Sequence, residues 1–279
     1  MKYFDAHTHV QFVAYESDRE ETIQRAKEAG VVMNVVGTQL DTSRTAVALA
    51  EKYDHIFATI GLHPIHTSKS YHDEKELGDG GKEFTSRGEQ FDMSVYEKLG
   101  HSSRVIAIGE CGLDYYRLEE NTKDVQIKNF IEQIELANTL QKPLMLHIRN
   151  PLRQSGNEAS AYDDALEVLK AHAKVKGDVH FFAGDWETAK KFLDFGFTLS
   201  FTGVLTFTHD YDEVILNTPL DMLLSETDAP YITPVPHRGK RNESSYIPLV
   251  VSRIAEIRGE SVEKVAGQLY ANAERVFGV

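Results

Sequence analysis

The sequence predicts an α/β fold in which parallel strands and their helices close into a (β/α)₈ TIM barrel. The chain has 279 residues, a length that fits one barrel of about 250 residues. Short apolar runs alternate with amphipathic stretches of helical period, which gives about eight strand–helix units. No G-x-G-x-x-G segment follows the first strand, so a dinucleotide-binding fold is disfavoured, although a doubly wound open sheet remains an alternative.

The first half of the chain sets up this alternation. The apolar opening run around residues 5–9 predicts a buried strand, and the near-continuous apolar run at 31–36 predicts a strand covered on both faces. Gly30 closes the helix between them, as a C-terminal glycine often does. The other elements predicted here are helices at 18–30, 42–53 and 93–100 and strands at 56–60 and 105–110.

The second half continues the pattern, and residues 121–141 give the clearest helix, with apolar residues spaced three or four apart. The polar, glycine-rich segment 65–92 and the segment 150–160 are predicted to be surface insertions. Because the alternation resumes after each of them, we expect one domain over residues 1–279. Strands are predicted at 143–147, 178–182, 197–200 and 222–226, and helices at 161–173, 187–195, 211–217, 246–258 and 261–276.

The composition narrows the class of protein. A formal net charge of −13 argues against a generally basic nucleic-acid coat, so an anionic substrate would need a locally positive site, which bound metal could supply. Cys111 is the only cysteine, so no disulfide can form within the chain, which suits a reducing compartment. The chain opens without an apolar signal segment and has no run of about 18 apolar residues, so we expect a cytoplasmic protein with no membrane span.

The opening strand carries the motif Asp5-Ala6-His7-Thr8-His9. Since successive side chains of a strand point to opposite faces, Asp5, His7 and His9 share one face, and two imidazoles lie side by side. Neutral imidazoles in this arrangement can chelate a divalent ion. The structural alternative is a strand with two partly buried, hydrogen-bonded histidines, and the motif alone does not decide between them.

Further residues of ligand type fall at the carboxyl ends of later predicted strands, where a barrel of this kind has its active site. Each has a structural alternative, such as a solvated strand end for Glu110, a core histidine for His180 or a turn aspartate for Asp228. Taken together, they make coincidence the weaker explanation. The candidate metal ligands are His7, His9, Glu110, His147, His180 and Asp228, and His63 follows the third strand.

The composition of this set predicts a two-metal hydrolase. Six protein ligands exceed the three that one catalytic zinc ion usually takes, whereas two ions about 3.5–4 Å apart, bridged by a carboxylate and a water, fit them better. Mixed imidazole and carboxylate donors suit Zn²⁺ or Mn²⁺, and Mg²⁺ is an option because of the carboxylates. A water between two dications loses its proton near neutral pH and becomes a bridging hydroxide nucleophile.

Several longer motifs resemble one family over nearly the whole chain. Five segments are similar to segments of the TatD-type metal-dependent deoxyribonucleases of the amidohydrolase superfamily. They are Gly61-Leu62-His63-Pro64, Ile108-Gly109-Glu110-Cys111-Gly112-Leu113-Asp114-Tyr115-Tyr116, Leu146-His147-Ile148-Arg149, Glu226-Thr227-Asp228-Ala229-Pro230-Tyr231 and Pro236-His237-Arg238-Gly239-Lys240-Arg241-Asn242. The last two segments are highly specific for this family. The leading H-x-H is shared with many amidohydrolases.

The resemblance implies roles by position. His7 and His9 would hold one ion with Asp228, Glu110 would bridge, and His147 and His180 would hold the second ion. The residues implied to contact substrate phosphate are His63, Arg149, His237 and Arg238 within the segments above. The sequence departs from the family after the sixth-strand histidine, where Phe181-Phe182-Ala183-Gly184 replaces the usual Cys-Phe-Ser-Gly, so a thiol and a hydroxyl beside the site are lost.

Elementary chemistry agrees with hydrolysis of a phosphodiester, with DNA as the expected substrate. Asp228 could take the proton of the attacking water and pass it to the leaving oxygen, so Asp228 and Glu110 are the candidate catalytic residues.

Arg149 and Arg238 offer planar groups that match phosphate oxygens in pairs. Lys240 and Arg241 add charge, although the alternative for 237–241 is a solvated basic loop. Tyr115, Tyr116 and Tyr231 could stack on bases or pack under loops.

Two other functions are compatible with the sequence. The same ligand set permits an amidohydrolase that acts on a cyclic amide, a lactone or a small phosphoester, although many such enzymes have a carboxylated lysine where this chain has Glu110. A non-catalytic binding or scaffold protein with a structural metal is disfavoured, because structural zinc sites are usually rich in cysteine and this chain has one.

Overall fold

The computed structural model describes residues 2–72, 83–116, 122–151 and 160–279. Within these residues an 8-stranded parallel sheet curves into a nearly closed barrel, with each strand paired to its neighbours in chain order, so the predicted fold is confirmed. The barrel strands are β1 (Tyr3–Thr8), β2 (Val31–Val36), β3 (Ile56–Ile60), β4 (Val105–Asp114), β5 (Leu144–Arg149), β6 (Gly177–Val179), β7 (Thr198–Phe201) and β8 (Leu223–Ser225).

Helices separate most of the strands, and in the described part of the chain their ends lie within two residues of the predicted ends. Side-chain caps explain several of these starts: Asp92, Ser160 and Asp185 each accept a hydrogen bond from a backbone N–H of the first helical turn. The helices are α1 (Arg19–Glu28), α2 (Leu40–Lys52), α3 (Met93–Gly100), α4 (Thr122–Leu140), α5 (Ala161–His172), α6 (Trp186–Asp194), α7 (Asp212–Asn217), α8 (Ile247–Arg258) and α9 (Val262–Phe277).

The strand β4 differs from its prediction, because it continues past Glu110 to Asp114 and all of its residues are buried. Two glycines allow this path. Gly109 and Gly112 have φ of 151° and 139°, and a Cβ on either would overlap a backbone carbonyl of β5. The close approach of the two strands places Glu110 inside the barrel mouth rather than at a solvated strand end.

The end of the sixth strand also differs from its prediction. The strand β6 ends at Val179, so His180 lies in the loop after the strand and not within it. In the segment 65–92, the structure has a short 3₁₀ turn, Pro64–His66, and an antiparallel pair of two-residue strands, Tyr71–His72 and Phe84–Thr85. Residues 73–82 of that segment, and 152–159 of the predicted insertion 150–160, lie outside the described residues.

The barrel closes where β1 meets the chain just beyond β8. The N–H of Asp228 donates to the carbonyl of His7 at 2.9 Å, and the N–H of His9 donates to the carbonyl of Ala229 at 2.7 Å. The buried carboxylate of Asp5 accepts bonds from the backbone N–H and the hydroxyl of Thr227, at 2.8 and 2.6 Å. These contacts bring the H-x-H motif beside Asp228, although more than 200 residues separate them.

Among the helices that the structure describes, none is long and apolar enough to cross a membrane.

Replacing Asp5 with alanine is expected to lower the free energy of unfolding by about 2–4 kcal/mol, because it leaves two buried donors of Thr227 without an acceptor. Asp5→Asn keeps one carbonyl oxygen and the side-chain volume, so it should cost less. Urea unfolding followed by circular dichroism measures both. Equal stability of Asp5→Ala and the wild type would contradict the role of Asp5 in closing the barrel.

The same residue gives the stability a pH dependence with a defined sign. Burial raises the pKa of Asp5 to about 7, above its unfolded value of about 3.9, so the folded chain holds this proton more tightly than the unfolded chain. The stabilisation is therefore complete below the unfolded pKa and is lost as the pH rises towards about 7. Across this window the wild type should lose stability relative to Asp5→Asn, which carries no such proton.

Candidate metal centre

A cleft of about 670 Å³ opens at the carboxyl ends of the barrel strands. It collects side chains from loops that are far apart in sequence, as expected for a barrel of this type. Its ligand-type residues come from β1, β3, β4, β5, β6 and β8 or the loops that follow them, and they are His9, His63, His66, Glu110, Asp114, His147, His180 and Asp228. The His7 imidazole lies fully buried beside them.

Glu110 is the centre of this group, and its two carboxylate oxygens face different partners. Oε2 lies 3.3 Å from His7 Nε2 and 3.8 Å from His9 Nε2. Asp228 Oδ1 is 3.5 Å from His9 Nε2 and 3.9 Å from His7 Nε2, so two imidazoles and two carboxylates surround one point. The predicted association of His7, His9, Glu110 and Asp228 is thus present in the structure.

The other oxygen of Glu110 faces three more imidazoles. Oε1 lies 2.9 Å from His147 Nδ1, 3.1 Å from His180 Nε2 and 3.2 Å from His63 Nε2. His63 had been predicted only as a contact for substrate, but its ring reaches the same carboxylate as the predicted ligands. Among the residues that the structure describes, three sets each have their ligand atoms within 4.8 Å of one another: His7, His180 and Asp228; His7, His9 and Glu110; and His63, Glu110 and His147.

The hydrogen-bond partners of these rings favour a cation between them. His9 Nδ1 lies 2.8 Å from the carbonyl oxygen of Val36, which can only accept, so Nδ1 carries the hydrogen and Nε2 of the neutral ring has a lone pair. That lone pair faces His7 Nε2 at 3.1 Å and the carboxylates of Glu110 and Asp228. Converging lone pairs and carboxylates repel each other unless a positive charge joins them, so this donor set fits a divalent metal ion.

Burial and charge tune these groups towards metal binding. Burial raises the pKa of Glu110, but the imidazoles of His63, His7 and His180 outweigh it and hold the pKa well below its usual range. Burial and the neighbouring His147 lower the pKa of His63 to about 4. At neutral pH Glu110 is therefore ionised and His63 is neutral, and these are the forms that bind metal.

His180 is oriented by a buried carboxylate that sequence reasoning missed. Glu226 is fully buried, and its Oε1 accepts from His180 Nδ1 at 3.1 Å and from the N–H of Phe181 at 2.7 Å. The bond fixes the hydrogen on Nδ1, so Nε2 is left to face the cluster. The signal in the sequence was the position of Glu226 two residues before Asp228, in the motif with the strongest family resemblance.

A second buried acid supports Glu226. The hydroxyl of Ser200 lies 2.7 Å from Glu226 Oε2 and 2.5 Å from Asp178 Oδ2. The Ser200 hydroxyl can donate only one hydrogen bond. If Asp178 and Glu226 were both ionised, one of the two carboxylates would face a lone pair of the hydroxyl oxygen instead of a hydrogen. Burial and the neighbouring Glu226 raise the pKa of Asp178 to about 7, which assigns the additional proton to Asp178. In the predicted strand 178–182, Asp178 and His180 are two residues apart and would share a face, and this spacing is the sequence signal for the role of Asp178.

Asp114 is a second supporting acid that the sequence did not reveal, although it lies in the motif around Glu110 that resembles the family. Its Oδ2 lies 2.8 Å from His147 Nε2, while Glu110 occupies the other nitrogen of the same ring. Burial raises the pKa of Asp114, but the hydrogen bond from His147 outweighs it and lowers the pKa to about 2. Since residues 110, 112 and 114 alternate along β4, Glu110 and Asp114 lie on one face and hold His147 between them.

The predicted phosphate-binding residues do not all lie in the cleft. Arg149 lines it, with its guanidinium 3.8 Å above the ring of Tyr116. His237 stacks on Tyr246 at 4.2 Å, and Arg238 lies 4.0 Å over the ring of Phe207 and donates to the carbonyl of Thr233 at 2.9 Å. His237 and Arg238 are not among the residues that line the cleft, and their contact with substrate stays a prediction.

Two other residues of the predicted rim have structural partners. Arg241 forms a two-pronged ion pair with Asp18, at 2.8 and 2.6 Å, so its charge is neutralised within the protein. Tyr115 is buried, and its hydroxyl donates to Asp164 of α5 at 2.8 Å, so its ring is held against this helix rather than exposed for stacking on a base. Tyr231 does line the cleft.

Imidazoles and carboxylates that converge at the mouth of a parallel barrel define a metal-dependent hydrolase. The chain belongs to the TatD related DNase family, whose model matches residues 4–278. The uncharacterized metal-dependent hydrolase YabD of Bacillus subtilis is 36% identical over 281 aligned positions, and the alignment covers 99% of each chain. The uncharacterized metal-dependent hydrolase YcfH of Escherichia coli K12 is 31% identical over 283 aligned positions, and the alignment covers 99% of this chain and 95% of YcfH.

Solved structures give the same picture of the fold. YjjV, a TatD homologue from Escherichia coli, is 27% identical with a TM-score of 0.80, covering 99% of this chain and 98% of YjjV. An organophosphorus hydrolase from Deinococcus radiodurans has a TM-score of 0.60 at 13% identity, over 99% of this chain and 92% of that one, so its likeness shows the fold alone.

Glu226→Gln is expected to weaken Zn²⁺ binding roughly 10- to 100-fold, because a neutral amide holds the His180 ring in its ligating orientation less strongly. Competition against a zinc-chelating dye measures the affinity. Glu135→Gln, on the exposed face of α4, is the matched control and should bind like the wild type. An unchanged affinity in Glu226→Gln would show that Glu226 does not position His180.

Proposed function

We propose that this protein is a phosphodiester hydrolase of the DNase type that uses two divalent metal ions bridged by Glu110. The observation that carries the proposal is that different imidazoles lie at the two carboxylate oxygens of Glu110. Oε2 faces His7 and His9, whereas Oε1 faces His147 and His180. A carboxylate with ligands gathered at both oxygens has the form of a bridge between two cations. Two-metal sites of this kind act on phosphate esters by in-line displacement.

The donor set supports a division into two ion sites. His7, His9 and Asp228 would hold one ion, and His147 and His180 the other, with His63 close enough to Oε1 of Glu110 to join the second site. Zn²⁺, Mn²⁺ and Mg²⁺ are the candidate ions, since imidazole favours the first two and carboxylate accepts all three. When bound, such ions neutralise the phosphate charge and lower the pKa of a coordinated water.

Asp228 supplies the proton transfer in this proposal. Burial raises its pKa, but the hydrogen bond with His9 and the charges of neighbouring imidazoles outweigh this and lower the pKa, so the carboxylate is ionised at neutral pH. It lines the cleft and is within reach of the same point as His7 and His9. It can accept the proton of the attacking water and deliver it to the leaving oxygen.

Arg149 provides the positive charge for the phosphate. It lines the cleft together with Glu110 and Asp228, and the centre of its guanidinium lies 3.8 Å from the centroid of the Tyr116 ring. A planar guanidinium can give two parallel N–H donors to two phosphate oxygens. In a chain of net charge −13, such a local cation beside a metal centre is the feature that favours an anionic substrate.

The test is turnover of labelled single- and double-stranded DNA, with free and with blocked ends, in Zn²⁺, Mn²⁺ or Mg²⁺, beside a panel of lactones, cyclic amides and small phosphoesters. We expect metal-dependent cleavage of DNA that a chelator abolishes. Turnover of a lactone or an amide without any cleavage of phosphodiesters would replace the proposal with an amidohydrolase function.

Asp228→Asn is expected to lower kcat for DNA cleavage roughly 10²- to 10⁴-fold, because the amide cannot accept the proton and is a weaker ligand. Asp194→Asn, exposed at the end of α6, is the matched control. Circular dichroism should show both variants folded. A wild-type rate in Asp228→Asn would remove Asp228 from the mechanism.

Arg149→Lys is expected to raise KM for DNA roughly tenfold with little change in kcat, because an ammonium group keeps the charge but loses the second donor of the fork. Arg44→Lys, on the exposed face of α2, should behave like the wild type. Steady-state kinetics separate the two constants. A large fall in kcat with an unchanged KM would place the role of Arg149 in the transition state instead.

A further inference from the structure

A large part of the cleft wall is apolar or aromatic, although its base is the polar metal centre. The ligating side chains and Arg149 contribute the charged part of the lining. The aromatic and large apolar side chains in the same lining are Phe12, Val13, Ile65, Ile148, Phe181, Tyr211, Tyr231 and Ile232. A site built only to hold a phosphate has no need for this surface, so the lining points to a substrate with a charged part and a flat or apolar part.

The aromatic rings begin directly beside the ligating imidazoles. Phe12 stacks on His9 with 4.4 Å between ring centroids, and Tyr231 meets the same imidazole edge-on at 6.4 Å. Phe181 meets His180 at 6.1 Å with the rings 77° apart. If a substrate phosphate were bound at the metal centre around Glu110, the organic group bonded to that phosphate would therefore reach these rings without leaving the cleft.

Backbone conformation singles out Phe181 and Ile232 among these residues. Both have positive φ, 46° and 50°, which is rare for bulky side chains. Among the non-glycine residues that the structure describes, only Gln141 and Asp228 also have positive φ. Gln141 directly follows α4, where left-handed residues often end helices. Asp228 lines the cleft, as Phe181 and Ile232 do. Such conformations persist where the surroundings enforce them, and they cluster at ligand sites. The bond from the N–H of Phe181 to Glu226 enforces this one.

We propose that Phe181, with Ile232 and Tyr231, forms a subsite that stacks against the nucleobase of the nucleotide that carries the scissile phosphate. The inference rests on the proposed phosphodiesterase function, since the phosphate would sit between Arg149 and the metal centre. A nucleobase has the required shape and chemistry, because its faces are flat and apolar and its edge is polar. Stacking on a protein ring tolerates any base, so the subsite would recognise nucleotides without selecting a sequence.

The test compares two ligands that differ only in the base. Thymidine 5′-monophosphate and deoxyribose 5-phosphate present the same phosphate on the same sugar, and isothermal titration calorimetry of the Mn²⁺-loaded protein measures both. We expect the wild type to bind thymidine 5′-monophosphate roughly tenfold or more tightly than deoxyribose 5-phosphate. Phe181→Ala should remove most of this preference and leave the affinity for deoxyribose 5-phosphate unchanged.

Two further variants make the result specific to the ring. Phe181→Leu keeps an apolar side chain but no flat face, so it should give an intermediate preference. Phe207→Ala removes an exposed phenylalanine that does not line the cleft and should keep the full preference. Phe181→Ala retains the backbone N–H that Glu226 binds, and circular dichroism checks that it folds.

The outcomes separate this inference from the proposed function. Equal affinities for the two ligands in the wild type, or a full preference in folded Phe181→Ala, would overturn the subsite even if the enzyme cleaves DNA. Conversely, a base preference that depends on Phe181 would support the subsite in a protein that fails to turn over DNA, and it would then point to a nucleotide substrate with a different reactive bond.

Discussion

The ionised carboxylate of Glu110, buried among five imidazoles, is the constraint on which the rest of the site depends. A buried charge without partners costs several kcal/mol, so it is retained only where cations or hydrogen bonds offset the cost. Here the imidazoles converge on both of its oxygens at 2.9–3.8 Å. The arrangement places lone pairs against carboxylates and so favours metal ions at the centre of the group.

A second layer of buried hydrogen bonds keeps the ligating imidazoles in place. Glu226 fixes His180, Ser200 and Asp178 fix Glu226, and Asp114 fixes His147. Each link is a hydrogen bond between buried polar groups, where an unmatched partner is costly. A rigid ring of ligands follows from this, because a side chain with a single satisfactory partner has a single low-energy orientation.

Barrel closure also positions the ligands of the site. The first strand and the loop after the last one meet through Asp5 and Thr227, and Asn242 then fastens that loop by donating to the carbonyls of Thr227 and Tyr231, at 2.9 and 2.7 Å. Asn242 is fully buried, so its amide is a structural clamp. The loop that carries Asp228 and Tyr231 is thereby positioned against His7 and His9, which links the stability of the barrel to the geometry of its site.

The sequence alone determined the alternation of strands and helices, the convergence of strand ends and the residue types gathered there, because period, turn residues and strand direction are local properties. Only the tertiary structure decided that His63 reaches Glu110, that Asp114, Asp178 and Glu226 support the ligands, and that Asp18 neutralises Arg241. Those facts depend on ring orientation and on contacts between side chains up to 223 positions apart, which no local pattern specifies. The extension of β4 past Glu110 is of the same kind, since it follows from the close approach of β5 at two glycines.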